Sequence, residues 1–569
     1  MSSATPTRTP TATTRLARRL PLVGVLRLGR PSDIWFKPAL SVVASVAPPN
    51  LLLLSLGRLD LAVYTMAGSL CALYAHNRPY AARARALAWV VLGMLSGLAL
   101  SLLTATLTRN AVVLVTVGAL MAAAQKALCD ATRIGPPGNV VLTFISSASL
   151  FVPQTLGQIP AHMGLAAAAA AWAWLVGMAP GLLRPHGPER RATAQALNAA
   201  AAYAATRGTG DGHARARAAA AAAVQAAWQA LLSTGARSEP RRALERLLVR
   251  AEVALAAPAD TDPGRLRAWA RDLCGSGPIP HAGRTGAATE ELLGVDAELT
   301  AGHRPWWRRL GPLAPIALRT ALGCALAGYA SLALGVGRPY WALVTAASLY
   351  QVNLTLTWRR GVQRVVGNLI GVLAFAAVAP LAHANGLALV LCCVALNFGA
   401  EALIGRNYWL GTICVTPMAL LITEFTGAHP TGELITERAL DTVVGALVGF
   451  VAAVAVTNRR AGDRIEHALA AVDRCRERAA RLLAEERPAT AALESARRDL
   501  AAALVELRAT AEAASGEWWQ RALPQERVVL TERTAHRTLA ATVRRQGPHT
   551  PADTGSTADT GSTTEDVRP

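Results

Sequence analysis

Leu87-Ala-Trp-Val-Val-Leu-Gly-Met-Leu-Ser-Gly-Leu-Ala-Leu-Ser-Leu-Leu103 contains no charged side chain, and neither does Leu387-Ala-Leu-Val-Leu-Cys-Cys-Val-Ala-Leu-Asn-Phe398. Each sits in a window of about 17 to 20 mostly apolar residues, enough to cross roughly 30 Å of hydrocarbon as a helix. Similar segments fill two blocks, Ala39 to Leu183 and Pro312 to Thr457. Six spans are expected in the first: Ala39 to Gly57, Leu61 to Ala75, Leu87 to Leu103, Ala111 to Leu128, Val140 to Leu156 and Gly164 to Leu182. Six more are expected in the second: Leu313 to Leu334, Tyr340 to Leu356, Val362 to Leu381, Gly386 to Ile404, Tyr408 to Phe425 and Ala439 to Val456. The expected fold is therefore all-α and polytopic, with two repeated six-helix blocks and a cytoplasmic helical domain.

Composition points the same way. Of 569 residues, 52% are apolar and 17% charged, too oily for a single soluble domain and too long for one hydrophobic core. The charge of +20 is carried by arginine, since lysine occurs only at Lys37 and Lys126. These basic residues cluster beside expected membrane ends, where anionic lipid is the natural counter-charge. No basic stripe interleaved with aromatics suggests nucleic acid. Eight cysteines show no zinc-ligand spacing, and no metal or cofactor is expected. Phosphate-loop, His-Glu-x-x-His and Gly-x-Ser-x-Gly motifs are missing, and Gly208-x-Gly210-x-Gly212 reads as a turn between Ala-rich helices. The chain is not expected to be an enzyme.

Basic residues in short loops prefer the cytoplasmic side. Arg78, Arg83, Arg85, Lys126, Arg133, Arg359, Arg360, Arg364 and Arg406 all fall on one side, together with both large basic segments, so both termini are expected in the cytoplasm of a cell-membrane protein. The expected organisation is a cytoplasmic tail and interfacial segment at 1–38 and the first membrane block at 39–183. A cytoplasmic helical region follows at 184–311, then the second block at 312–457, a C-terminal helical region at 458–546 and a disordered tail at 547–569. Leu16 to Ile34 is expected to lie along the membrane face, Trp306 and Trp307 to anchor span seven at the interface, and Ala552 to Thr557, repeated as Ala558 to Thr563, to stay unfolded.

Chemistry concentrates in the second block. Arg360, Arg364, Gly367 and Gly371 recur at i, i+4, i+7 and i+11, one stripe of a helix. Small residues four apart let backbones approach. The arginine pair reads either as snorkelling topology determinants or as groups that hold an anion. A second stripe, Arg438, Asp441, Gly445 and Gly449, reads as a structural salt bridge on one helix face near the outer surface. Pro153 in span five and Pro417 in span eleven interrupt corresponding spans beside Ser and Thr residues, Thr416 among them. Such breaks mark either a central binding site or packed kinks satisfied by hydroxyls. Even span counts make the repeats parallel, related by an axis along the membrane normal. Intramembrane charges are functional by default. Arg319 is the first candidate to attract an anionic substrate. Glu401 reads as a proton-linked carboxylate or as a solvated helix end, and Glu424 is expected to face outer water.

Arg338 through Gly371, Thr416-Pro417, and Glu437-Arg438 with Asp441 and Gly445 together resemble the fusaric acid resistance protein-like family, which overlaps the aromatic acid exporters. Gly68 to Pro79 and Arg133 to Gly138 are similar to that family's N-terminal half. The family's Arg-x-x-Gly-Thr pattern reads Arg364-Val365-Val366-Gly367-Asn368 here, so Asn replaces the hydroxyl. The resemblance implies ion-driven export of aromatic carboxylates or related small organic anions. An organic-anion channel, and a scaffold recruiting partners through its cytoplasmic helices, are the alternatives. Expected partners are a small organic anion, membrane lipids and a second copy of the chain.

Overall fold

The computed structural model describes residue 22 and residues 24–29, 35–135, 137–206, 211–233, 238–256, 258–275, 277–281, 310–351, 353–425, 430–456, 461–486, 489–514 and 525–545. Trp306, Trp307, Pro136, Gly208, Gly210, most of the N-terminal segment and the tail 547–569 lie outside the described residues. The described chain is helical and divides into two compact units.

The first unit holds α1 (Phe36–Ser55), α2 (Ala62–Ser69), α3 (Tyr80–Leu107), α4 (Ala111–Thr132), α5 (Val140–Ser149), α6 (Ile159–Met178) and the short α7 (Pro180–Leu183). The α8 (Gly187–Ala205), α9 (Asp211–Leu232), α10 (Glu239–Ala256) and α11 (Pro263–Cys274) helices belong to the second unit. The chain then returns to the first unit for α12 (Leu310–Ala333), α13 (Tyr340–Leu349), α14 (Leu354–Ala382), α15 (Gly386–Ile404), α16 (Tyr408–Glu424) and α17 (Thr431–Ala455).

Twelve full-length spans were expected at these positions. Eight helices are long and apolar enough to cross a membrane: α1, α3, α4, α6, α12, α14, α15 and α17. The other four are shorter: α2 with its flanking 3-10 turns (Leu59–Leu73), α5, α13 and α16. Chain breaks shorten three of them. Tyr74 is extended after α2 and its trailing turn, and Tyr350 is extended after α13. Ala75 has φ +62°, and α5 ends at Ser149, ahead of Pro153. The expected break at Pro417 is absent, for α16 runs through it unbroken. Just ahead of the missing N–H, Thr412 Oγ1 donates to the Tyr408 carbonyl at 2.9 Å, and Thr416 Oγ1 shares its proton between the Thr412 carbonyl and Asn368 Oδ1.

Polarity in this unit is inverted. Leu92, Leu373, Leu391, Leu447 and Val451 are exposed, while Thr143, Asn368, Asp441 and Thr442 are buried. Exposed leucine over so much surface is costly in water and neutral in lipid, as a multi-pass membrane protein requires. Close packing comes from glycine. A Cβ on Gly371 would stand 2.7 Å from the Thr416 Cβ, and one on Gly367 the same distance from the Thr412 Cβ, so α14 lies almost in backbone contact with α16. Gly445 brings α17 against Ala342 and Thr345 of α13 in the same way. Within this unit α2 lies on α6, α13 on α17, α3 on α5, α14 on α16, α4 on α12 and α1 on α15.

Residues 24–29 of the N-terminal segment are fastened to protein. The Val25 carbonyl accepts from Gln363 Nε2 at 2.9 Å and Asn407 Nδ2 at 3.2 Å, the Leu26 carbonyl from Trp409 Nε1 at 3.2 Å, and the Gly29 N–H donates to the Arg406 carbonyl at 2.9 Å.

In the second unit, α8 to α11 share a core centred on Leu197, Leu231, Leu247 and Leu248. A buried ion pair, Arg217 Nη1 to Glu532 Oε2 at 3.0 Å, ties α9 to a further helix, Gln525–Arg545.

Candidate functional site

The break between α13 and α14 places the arginine stripe. Asn353 caps α14, its Oδ1 accepting from the Leu356 N–H at 2.9 Å. The new helix thus starts just ahead of Arg360 and Arg364. Asn397 and Glu401 come from α15, Tyr408 opens α16, and Arg438 sits in the second turn of α17. With residues of α4 and of the Tyr74–Pro79 break, these line a cavity of about 790 Å³ within the first unit. Irregular backbone at membrane depth is tolerated where it borders such a cavity; Ala75, Asn77, Tyr350 and Gln351 of the two breaks all do.

Both arginines of the stripe converge on one ring. Arg364 Nη1 donates to Tyr408 Oη at 2.9 Å, and the Arg360 guanidinium lies 3.1 Å from the centre of the same ring. Arg438, 1% exposed, stacks 4.0 Å above Trp341. Aromatic faces and a phenol stabilise a guanidinium without neutralising it. No carboxylate among the described residues lies within ion-pair distance of these three arginines. The Nε of each, and Nη1 of Arg438, are buried without a hydrogen-bond partner.

Neighbouring carboxylates are committed elsewhere. Glu437 pairs with Arg338, Asp130 with Lys126 at 3.0 Å, and Asp441 accepts from Ser331 at 2.6 Å. The salt bridge expected between Arg438 and Asp441 is therefore not formed, because Trp341 draws the guanidinium one way and Ser331 the carboxylate the other. Arg438 is a wall of the cavity. His76 also lines it and accepts from Arg83 Nη2 at 3.1 Å through Nδ1. An arginine can only donate, so that imidazole is neutral. The cavity walls hold Arg78, Lys126, Arg360, Arg364 and Arg438 against Asp130 and Glu401, five basic side chains to two acidic.

Asn368, flagged in the sequence only as a departure from threonine, is the hub behind the arginines. Its Oδ1 accepts from Thr416 Oγ1 at 2.5 Å and Arg438 Nη2 at 3.4 Å, and its Nδ2 donates to Thr442 Oγ1 at 3.0 Å. One amide thereby joins α14, α16 and α17, accepting through its oxygen and donating through its nitrogen.

Arg319, expected to attract substrate, does not line the cavity. Its Nε and Nη2 bond the Val456 carbonyl at 3.0 and 2.7 Å, capping the C-terminal end of α17 where the helix dipole favours a cation. Thr416 and Pro417 stand behind α14, and Pro153 follows the end of α5; none of the three faces the cavity. Glu401 does line it. Glu424 is buried and not in outer water, with Oε2 against His383 Nε2 at 2.6 Å. Sequence reasoning missed Tyr408, Trp341 and Asn368 as parts of one site. Only the Tyr-Trp pairs at Tyr340-Trp341 and Tyr408-Trp409, each opening a second-block span, hinted at them. Among the described residues no group of three or more His, Cys, Asp or Glu is placed to hold a metal ion.

Residues 325–452 match the fusaric acid resistance protein-like family model. This domain spans under a quarter of the chain and contains Arg360, Arg364, Asn368, Tyr408 and Arg438. The chain is also 31% identical over 137 residues to the uncharacterized membrane protein YvaC of Bacillus subtilis (strain 168), covering 24% of this chain and 22% of that protein. It is 25% identical over 153 residues to the uncharacterized protein slr1298 of Synechocystis sp., covering 26% and 20%. The chain thus aligns with about a fifth of the length of these curated relatives. No solved structure matches it.

Proposed function

We propose that the protein is an ion-driven membrane exporter of small aromatic or otherwise amphipathic organic anions. The observation that carries this reading is the set of three arginines, the half-buried Arg360 and the buried Arg364 and Arg438, that line one cavity with no carboxylate within ion-pair distance among the described residues. A cation held away from water is stable only with a counter-charge, and no carboxylate of the described residues comes within ion-pair distance of these three. The cavity volume of about 790 Å³ suits a small organic molecule. Its fusaric acid resistance protein-like domain supports transport over catalysis.

Glu401 is the carboxylate on the cavity wall best placed for proton coupling, since it has no arginine or lysine within ion-pair distance. The two blocks act as repeated halves. Support comes from the shortened helices, α2 and α5 in one block and α13 and α16 in the other, and from the matched packing pairs. The arginine bias of the loops supports a cytoplasmic position for both termini and the second helical unit. Uptake of a radiolabelled aromatic acid into inverted vesicles tests the reading. Saturable, gradient-dependent uptake, lost in Arg364→Ala and Arg438→Ala, is the expected result; wild-type rates in both variants would overturn it. Anion current without proton coupling in planar bilayers would instead make the protein a channel.

A further inference from the structure

The charge of the cavity says more than that its cargo is an anion. Five basic walls face two acidic ones, and one of those acids is already paired with Lys126. With Glu401 ionised, three positive charges remain uncompensated. A monocarboxylate would leave two of them without an opposite charge.

The arginines are held by different partners: Arg360 and Arg364 share Tyr408, whereas Arg438 stacks on Trp341 and bonds Asn368. The two rings are occupied by the guanidiniums, so they serve to present N–H groups and not to stack on a ligand. We propose, on the basis of the exporter reading, that the cavity selects organic anions bearing two negative groups, one held by Arg360 and Arg364 and the other by Arg438. Each group then offsets a positive charge of the cavity wall and receives charge-assisted hydrogen bonds.

The test uses the full chain in nanodiscs of zwitterionic lipid, so that lipid head groups add no net negative charge. Binding of benzoate is compared with that of phthalate, isophthalate and terephthalate, which set two carboxylates at three separations on one ring. At least one dicarboxylate is expected to bind about tenfold or more tighter than benzoate. In Arg438→Gln the ratio of dicarboxylate to benzoate affinity should fall to about twofold or less, whatever happens to benzoate binding itself. Should Arg438→Gln not fold, Arg360→Gln and the wild-type ratio still decide the matter. Benzoate binding as tight as every dicarboxylate overturns the two-charge inference and leaves the exporter reading standing. Binding of none of the four overturns both.

Discussion

A guanidinium beside an aromatic ring keeps its charge and most of its donors, which is why Tyr408 and Trp341 matter as much as the arginines they hold. Asn368 fixes the arrangement from behind by tying Thr416, Thr442 and Arg438 together. Asn368→Ala deletes all three bonds and leaves buried hydroxyls and a guanidinium with fewer partners. A loss of about 1–3 kcal/mol per orphaned group is the usual scale. The variant should therefore melt earlier in detergent and show weakened anion binding together, whereas unchanged melting would remove Asn368 from the core network. Arg319 makes the opposite point. An intramembrane arginine is costly wherever it sits, and here a helix C-terminus provides the compensation that a substrate was expected to provide.

Among elements, α13, α14 and α16 build the site. The α13 helix stops at Leu349, the chain is extended at Tyr350, and α14 restarts at an asparagine cap, so the first turns of a new helix point at the cavity. Glycine then decides how closely α14 approaches α16. Gly371→Ala puts a methyl group 2.7 Å from the Thr416 Cβ and 3.0 Å from the Ile413 carbonyl oxygen. Neither backbone nor branched Cβ yields easily, and overpacking of this kind costs about 1–3 kcal/mol. Lower thermal stability is expected for Gly371→Ala, but not for Gly93→Ala, where an added Cβ meets nothing within 4 Å. Equal melting of the two variants would refute the close-packing account. Sequence spacing located the Gly367 and Gly371 stripe. It did not reveal that residues four apart on α16, Thr412 and Thr416, receive it.

At the scale of the whole molecule, two units stand on different physics. The first buries polar groups and exposes leucine, and the second has a water-type core of alanine and leucine. Within the second, Arg217 and Glu532 come from helices more than 300 positions apart and are 5% and 7% exposed. Removing one partner of such a pair leaves a charge in a site closed to water, at a cost of about 3 kcal/mol. Arg217→Ala should raise hydrogen exchange in α9 and in 525–545 of the full chain while exchange in α14 and α16 stays at its wild-type level. Unaltered exchange throughout would show that the pair holds nothing together.

The sequence by itself determined the membrane character, the number and order of apolar segments, the second-block arginine stripe and the family resemblance. Those rest on local properties, composition along the chain and helical period, which survive without knowledge of neighbours. Which apolar segments reach full length, and which arginines are free, only the tertiary structure decided. A guanidinium is a substrate ligand or a structural cap according to what lies within about 4 Å of it. For Arg438 that is an indole and an amide supplied by two other helices, and for Arg319 a carbonyl 137 positions away.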